Sequence, residues 1–227
     1  MIDIHTHILP NVDDGSKDLE TSLKMVEIEI SQGVTDIVLT PHIQSTVTKA
    51  TKEEQIIAFN TLKEAVKSAN LDVNLHLAGE IHYRSHLDTN YDDYAFGKHK
   101  YILMEFPTRI QTPIEDICFD LMHMDYQVIV AHAERYQYLS IQDIKAIKAT
   151  GALIQTNASS VLNLDKSVDK KTVKLMIKHN LIDVIATDTH NLDKRPPNLI
   201  QAKKHLSKYY DDKSLDLLFN RIKLTTF

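Results

Sequence analysis

Near its start the chain reads Ile2-Asp3-Ile4-His5-Thr6-His7, and these residues decide the fold. Residues 2–5 have the short, β-branched character of a buried strand, and side chains two apart on a strand point to the same side. His5 and His7 can therefore converge on one cation just where the strand ends. The same arrangement recurs along the chain. Residues 36–40, 73–78, 101–104, 128–131, 153–155 and 184–186 are further short apolar runs. Between them lie helical patterns over 19–32, behind Asp18 and stopped by Gly33, and over 52–68, 113–124, 141–149 and 168–179. Seven strands alternating with helices predict an α/β fold built on a parallel sheet. Residues 83–99, polar and rich in Tyr and Asp, fit no regular element.

The residues just past each strand carry the chemistry. The first strand ends in His5 and His7, the second in His42, the third in Glu80, the fourth in Glu105, the fifth in His132 and the seventh in Asp188 and His190, while Asp14 lies in the first loop. Only the sixth lacks an obvious donor. In a parallel barrel every C-terminal strand end opens on one face, so residues scattered along the chain meet in one pocket. A single His or Glu after a strand is commonly a polar residue reaching water. Coincidence at six of seven ends instead predicts a metal site, since buried imidazoles and carboxylates need cations or partners to offset their desolvation.

Composition sets the outer limits. A chain of 227 residues, 43% hydrophobic, can bury a full core, and it is expected to form one domain over residues 1–227. Its net charge of −5 argues against nucleic acid or a membrane surface as the main partner. A single cysteine excludes an internal disulfide. The first strand leaves no room for a signal peptide, and no apolar run approaches a membrane span, so a soluble, cytoplasmic protein without membrane insertion is expected. Cys118 sits at helical spacing with Ile114, Ile117, Leu121 and Met122, which reads as core and excludes thiolate phosphatase chemistry.

The segments His5-Thr6-His7 with Asp13-Asp14-Gly15, Thr40-Pro41-His42, Gly79-Glu80, Glu105-Phe106, His132-Ala133-Glu134-Arg135-Tyr136 and Asp188-Thr189-His190-Asn191-Leu192-Asp193-Lys194-Arg195-Pro196-Pro197 resemble the PHP superfamily, named for polymerase and histidinol phosphatase. More narrowly, the chain is similar to the bacterial manganese-dependent protein-tyrosine phosphatases of capsular and exopolysaccharide gene clusters. The resemblance implies a distorted seven-stranded (β/α) TIM-like barrel holding three metal ions. Carried over, His5, His7 and Asp188 hold the first ion, with Glu80 bridging to the second. Glu105 and His132 complete the second, and Asp14, His42 and His190 hold the third. Either member of the Asp13-Asp14 pair is within reach of that ion, and Asp14 follows the family pattern.

Four carboxylates among nine donors would leave a cluster of three divalent ions positive, able to hold a phosphate dianion. A mixed imidazole and carboxylate shell suits manganese, iron or zinc; manganese comes from the resemblance. Arg135 and Arg195 lie in loops at the same face, placed to clamp phosphate oxygens or developing charge. The implied reaction is hydrolysis of phosphotyrosine by metal-activated water, with the tyrosine-rich tail of a membrane-associated bacterial tyrosine kinase as substrate. A small-molecule phosphomonoesterase, an amidohydrolase-like enzyme and a metal-binding docking scaffold are the alternatives. His76, His82, His86, His99, His123, His179 and His205 read as structural or solvated, His82 and Tyr83 bordering the pocket. Asn157, Ser159 and Ser160 read as supporting contacts or turn residues.

Overall fold

The structure is a computed structural model that describes residues 1–87 and 89–224. Nine parallel strands are described: β1 (Ile2–Thr6), β2 (Asp36–Leu39), β3 (His42–Ile43), β4 (Asn74–Leu77), β5 (Glu80–His82), β6 (Tyr101–Glu105), β7 (Gln127–Val130), β8 (Leu153–Asn157) and β9 (Val184–Ala186). They form two sheets, ordered β1-β2-β4 and β3-β5-β6-β7-β8-β9, which wrap together into a half-barrel. The count differs from seven because two further short strands, β3 and β5, begin just past the ends of the second and third expected runs. Thr40-Pro41 separates β2 from β3, and Ala78-Gly79 separates β4 from β5. Proline has no amide hydrogen to give to the ladder. Gly79 has no room for a side chain, since a Cβ there would lie 2.6 Å from Ile43. Pairing continues across both breaks through Ala78 N–H to Leu39 O (2.9 Å) and Glu80 N–H to Pro41 O (3.0 Å). β1 and β9 meet at their C-terminal ends, where Thr6 bridges Thr189.

Helices α1 (Leu19–Ser31), α2 (Lys52–Ser68), α3 (Ile114–His123), α4 (Ile141–Ala149) and α6 (Lys170–Lys178) match the five expected patterns to within two residues. α5 (Ala158–Val161), α7 (Leu199–Leu206) and α8 (Asp212–Asn220) were not expected. Local chemistry fixes several starts. Thr51 with Glu54 and Ser140 with Asp143 form reciprocal capping boxes, and Asp18 accepts from Thr21 N–H. Among the described residues of the 83–99 segment there is one single-turn 3-10 helix, Tyr91–Asp93, and no longer helix lies between β5 and β6 among them.

Strand side chains alternate between two apolar layers. Tyr101 and Leu103 of β6 join Ile4, Val38, Ala78, Ile129 and Ala186 inside the curved sheet, whereas Ile102 and Met104 face the helices with Ile37, Val128 and Ile154. Both strand faces are thus buried, which is why the strands read as continuous apolar runs. β1 departs from this rule. Asp3 pairs with Ile37 but Thr6 with Leu39, so β1 carries one extra residue there. Such a bulge re-aims side chains: Ile4 stays in the inner layer while His5 and His7 both reach the site above it.

Asp3 and Glu29 of α1 form a fully buried acid pair behind β1. Asp3 accepts from Thr187 N–H (3.2 Å), Thr187 O–H (2.5 Å) and His5 N–H (3.3 Å). Neither Glu29 oxygen makes a well-aligned hydrogen bond among the described residues, while Asp3 accepts three, so the proton belongs on Glu29. Burial first, and then the Asp3 charge, raises its pKa well above the ordinary 4.5. A carboxyl raised in the folded state releases its proton earlier when unfolded, so stability is lost as pH rises above the unfolded value. Glu29→Gln is expected to reduce that loss by roughly 1.4 kcal/mol per pH unit across the interval that Glu29 governs, leaving the share of Asp3, whose carboxyl burial also raises. Urea unfolding at mildly acidic and mildly alkaline pH measures it; curves with equal pH slopes in both proteins would refute the assignment.

Candidate metal centre

The pairing register sets the site's levels. His42 lies beside Glu80 and Glu80 beside Leu103, while His82 lies beside Glu105 one step higher. Glu80 therefore stands directly on the inner apolar layer. His132 and Asp188 follow β7 and β9 with left-handed backbones, φ 31° and 54°. Non-glycine residues are rare in that region and persist where the surroundings over-determine them. In the first loop, Gly15 is required by close approach: a Cβ there would lie 2.2 Å from His7 O.

Glu80, fully buried, is the hub. Its Oε1 lies 3.3 Å from His5 Nε2 and 2.9 Å from His132 Nε2, and its Oε2 lies 3.3 Å from His7 Nε2 and 3.0 Å from His42 Nδ1. Asp188 Oδ1 is 3.5 Å from both His5 Nε2 and His7 Nε2. Asp14 Oδ1 is 3.5 Å from His42 Nε2 and 3.4 Å from His190 Nε2. Glu105 lies 3.6 Å from His132 Nε2 and 3.9 Å from His42 Nδ1. All nine expected donors thus fall in one connected cluster.

Within it, three groups have ligand atoms close enough to share an ion: His5, His7 and Glu80; His42, Glu80 and Glu105; and His7, Asp14, His42 and His190. These groups overlap the sets carried over from the resemblance: Asp14, His42 and His190 fall in one group, and His5 Nε2, His7 Nε2 and Asp188 Oδ1 lie within 3.5 Å of one another. His42 faces two groups through its two nitrogens, and His132 Nε2 lies beside both Glu80 and Glu105.

The donor chemistry fits cations. Gln155 Nε2–H donates to Asn157 Oδ1 (2.8 Å), so its Oε1 accepts from His5 Nδ1 (3.1 Å) and from His132 N–H (2.7 Å). Asp13 Oδ2 accepts from His7 Nδ1 at 2.8 Å. Each ring's hydrogen being committed to Nδ1, both Nε2 atoms turn lone pairs toward each other across 3.2 Å. That contact needs a cation or a proton between them. Burial lowers the pKa of His7, but Asp13 and Glu80 outweigh it and raise it to about 10; the carboxylates that hold a proton there would equally hold a metal. His42 Nδ1, Glu80 Oε2 and His190 Nε2 are buried with no well-aligned hydrogen bond among the described residues, as atoms aimed at an ion would be.

Asp13 and Asp14 divide the work. Asp13, buried, accepts from His7, Gly15 N–H (2.9 Å) and His42 N–H (3.0 Å). Burial pushes its carboxyl up, but these contacts outweigh it and hold the group below the usual range. Asp14 reaches the donor cluster. Asp13→Ala should weaken metal affinity by about 10–100-fold, the usual effect of losing an imidazole's orienting carboxylate. Metal titration calorimetry measures it, and unchanged affinity would refute that role.

β8, the sixth of the expected runs, supplies amides instead of ligands. Gln155 and Asn157 sit two apart on β8, as His5 and His7 sit on the first loop's approach; Asn157 Nδ2–H donates to Asp188 Oδ2 at 2.7 Å. The sequence alone does not single out Gln155, although its spacing from Asn157 is the available signal. His82, read there as structural or solvated, has its Nδ1 2.8 Å from Glu105 Oε2. Ser159 lines a neighbouring cleft, and Ser160 is buried beside Glu134. His76 pairs with Asp36, and His86, His99, His123 and His179 are exposed.

Both arginines reach further inward than expected. Arg135 Nη1 donates to Asp188 Oδ2 (2.9 Å) while its Nε and Nη2 hold Asp165 (3.1 and 3.0 Å), and Arg195 Nη2 also pairs with Asp188 Oδ2. Burial pushes the Asp188 carboxyl up, but Arg195, His5 and Arg135 together keep it well below the ordinary range. Cys118 is buried on α3 and its thiol is pushed up to about 12 by burial, so it supplies no thiolate.

A parallel half-barrel with imidazoles and carboxylates gathered at the C-terminal ends of its strands places the chain in the TIM-like α/β class with a candidate metal centre. The family model described as "Capsular polysaccharide synthesis, CpsB/CapC" matches residues 1–223, and the chain belongs to that family. It is 32% identical over 235 residues to CapC of Staphylococcus aureus, covering 99% of this chain and 91% of CapC. It is 31% identical over 232 residues to the tyrosine-protein phosphatase CpsB of Streptococcus agalactiae serotype V, covering 96% and 95%. A solved structure from work on YwqE from Bacillus subtilis and CpsB from Streptococcus pneumoniae, described as unique metal-dependent tyrosine phosphatases, superposes with TM-score 0.85 at 24% identity over 99% of this chain and 96% of that one. No helix among the described residues is long and apolar enough to cross a membrane.

Proposed function

We propose that this chain is a metal-dependent protein-tyrosine phosphatase in which the two sheets act as one distorted seven-stave barrel and a single domain over residues 1–227. The observation that carries the reading is Glu80, fully buried with each oxygen facing two imidazoles. Relatives that cover nearly the whole chain and bear the name tyrosine-protein phosphatase support the substrate class. His5, His7, Asp14, His42, Glu80, Glu105, His132, Asp188 and His190 would hold three divalent ions, taken to be manganese. When bound, these supply positive charge to a phosphate and acidify water at neutral pH.

The chain's own residues do the rest. Gln155 and Asp13 fix which ring nitrogen of His5 and His7 faces inward. Arg195, tethered to Asp188 and one-third exposed, is placed to meet phosphate oxygens; Arg135, pinned between Asp165 and Asp188, holds its charge at the same edge. A tyrosine leaves with a pKa of about 10, far below an alkyl alcohol, so demand for a strong general acid is small. The physiological substrate in this reading is the phosphorylated tail of a membrane-associated tyrosine kinase of capsule assembly, met in the cytoplasm. Assay of a phosphotyrosyl peptide against histidinol phosphate, after chelation and after refilling with manganese, zinc or iron, tests it. Loss on chelation, best recovery with manganese and preference for the peptide are expected; activity that survives chelation would contradict it.

A further inference from the structure

Beside the donor cluster, a cleft of about 330 Å³ opens between the loop after α5 and the loop after β9. Its lining brings Arg135, Lys166, Lys194 and Arg195 against one carboxylate, Asp165, which is itself held by Arg135 and by Ser167. In a chain of net charge −5 this is a local concentration of positive charge. Lys166 and Lys194 are exposed and stand outside the donor cluster. Leu164, 63% exposed on the same wall, adds an apolar surface. The cleft is continuous with the site, because Arg135 and Arg195 line it and also touch Asp188.

We propose that this cleft seats the polypeptide adjoining the phosphotyrosine and selects substrates with acidic side chains there, an inference that rests on the phosphatase reading above. Lysine ammonium groups at a cleft rim attract carboxylates without demanding one geometry, as suits an extended segment. Opposite charges across such a surface act chiefly on encounter and selection. The two lysines are specificity residues, since neither touches the donors.

Phosphotyrosyl peptides flanked by glutamate or by alanine on either side test this, with wild-type protein and the K166E/K194E double variant. Wild type should favour the glutamate-flanked peptide by about tenfold in kcat/KM at low salt. The preference should shrink as ionic strength approaches about 0.5 M. The double variant should lose it while hydrolysing p-nitrophenyl phosphate, which has no flanks, within about twofold of wild type. Equal handling of the two peptides by wild type, or an equal fall on p-nitrophenyl phosphate in the variant, would overturn the proposal. Fluorescence anisotropy with phosphonate peptides separates the two claims. Preferential binding without hydrolysis would remove the phosphatase reading and keep the cleft's role; hydrolysis without preference would do the reverse.

Discussion

Glu80→Gln should release metal from two positions at once and lower phosphotyrosine turnover by about 10³-fold or more, a loss of several kcal/mol of transition-state stabilisation. The expectation follows from geometry. Oε1 faces His5 and His132, and Oε2 faces His7 and His42, all within 3.3 Å. Glutamine keeps the size of the side chain but replaces one oxygen with an amide NH2, which has no lone pair to give a cation and presents hydrogens to imidazole lone pairs. Because Glu80 is fully buried on the inner apolar layer, no water replaces the lost charge. Metal content measured on the purified variant should drop in step with activity. A variant that keeps its full metal content and its turnover would remove Glu80 from the centre of the account.

Arg195→Ala and Arg135→Ala should each reduce turnover by about 10²–10³-fold, the range for removing one preorganised charge-stabilising donor, while leaving metal content unchanged. Asp188 explains the separation of the two effects. Its Oδ1 faces His5 and His7, whereas Oδ2 is shared by Arg135, Arg195 and Asn157. Either truncation leaves two donors on Oδ2, so the carboxylate keeps its place. The variants should differ in stability: Arg135 also binds Asp165, so its loss frees a half-buried carboxylate that Arg195 does not touch. Parallel measurement of metal content and kcat decides the matter, and loss of metal in step with activity would make the arginines props for Asp188 and nothing more.

The donors are legible in the sequence because parallel strands place their C-terminal ends on one face, so His5, His42, Glu80, Glu105, His132 and Asp188 can be gathered from order alone. The nitrogen each ring presents is not. Which nitrogen of His42 turns toward Glu80 and which toward Asp14 depends on the step between β2 and β3, and that step comes from Pro41, whose break in the ladder the apolar pattern conceals. Gln155 gives no signal by itself because amides are ordinary strand residues until a ring nitrogen is found beside them. His82 lacks a ligand context in the sequence, and the register that places it beside Glu105 exists only once β5 has formed after Gly79. Helices α7 and α8 escape because Leu199, Ala202 and Leu206, and Leu215, Leu218 and Phe219, are short stripes in lysine- and aspartate-rich stretches, stabilised by packing more than by pattern.

Anomalous diffraction from crystals grown with manganese reads the three-ion centre itself. Three peaks are predicted among His5, His7, Asp14, His42, Glu80, Glu105, His132, Asp188 and His190, with Glu80 touching two of them. A map with these side chains ordered and no anomalous density between them would contradict it.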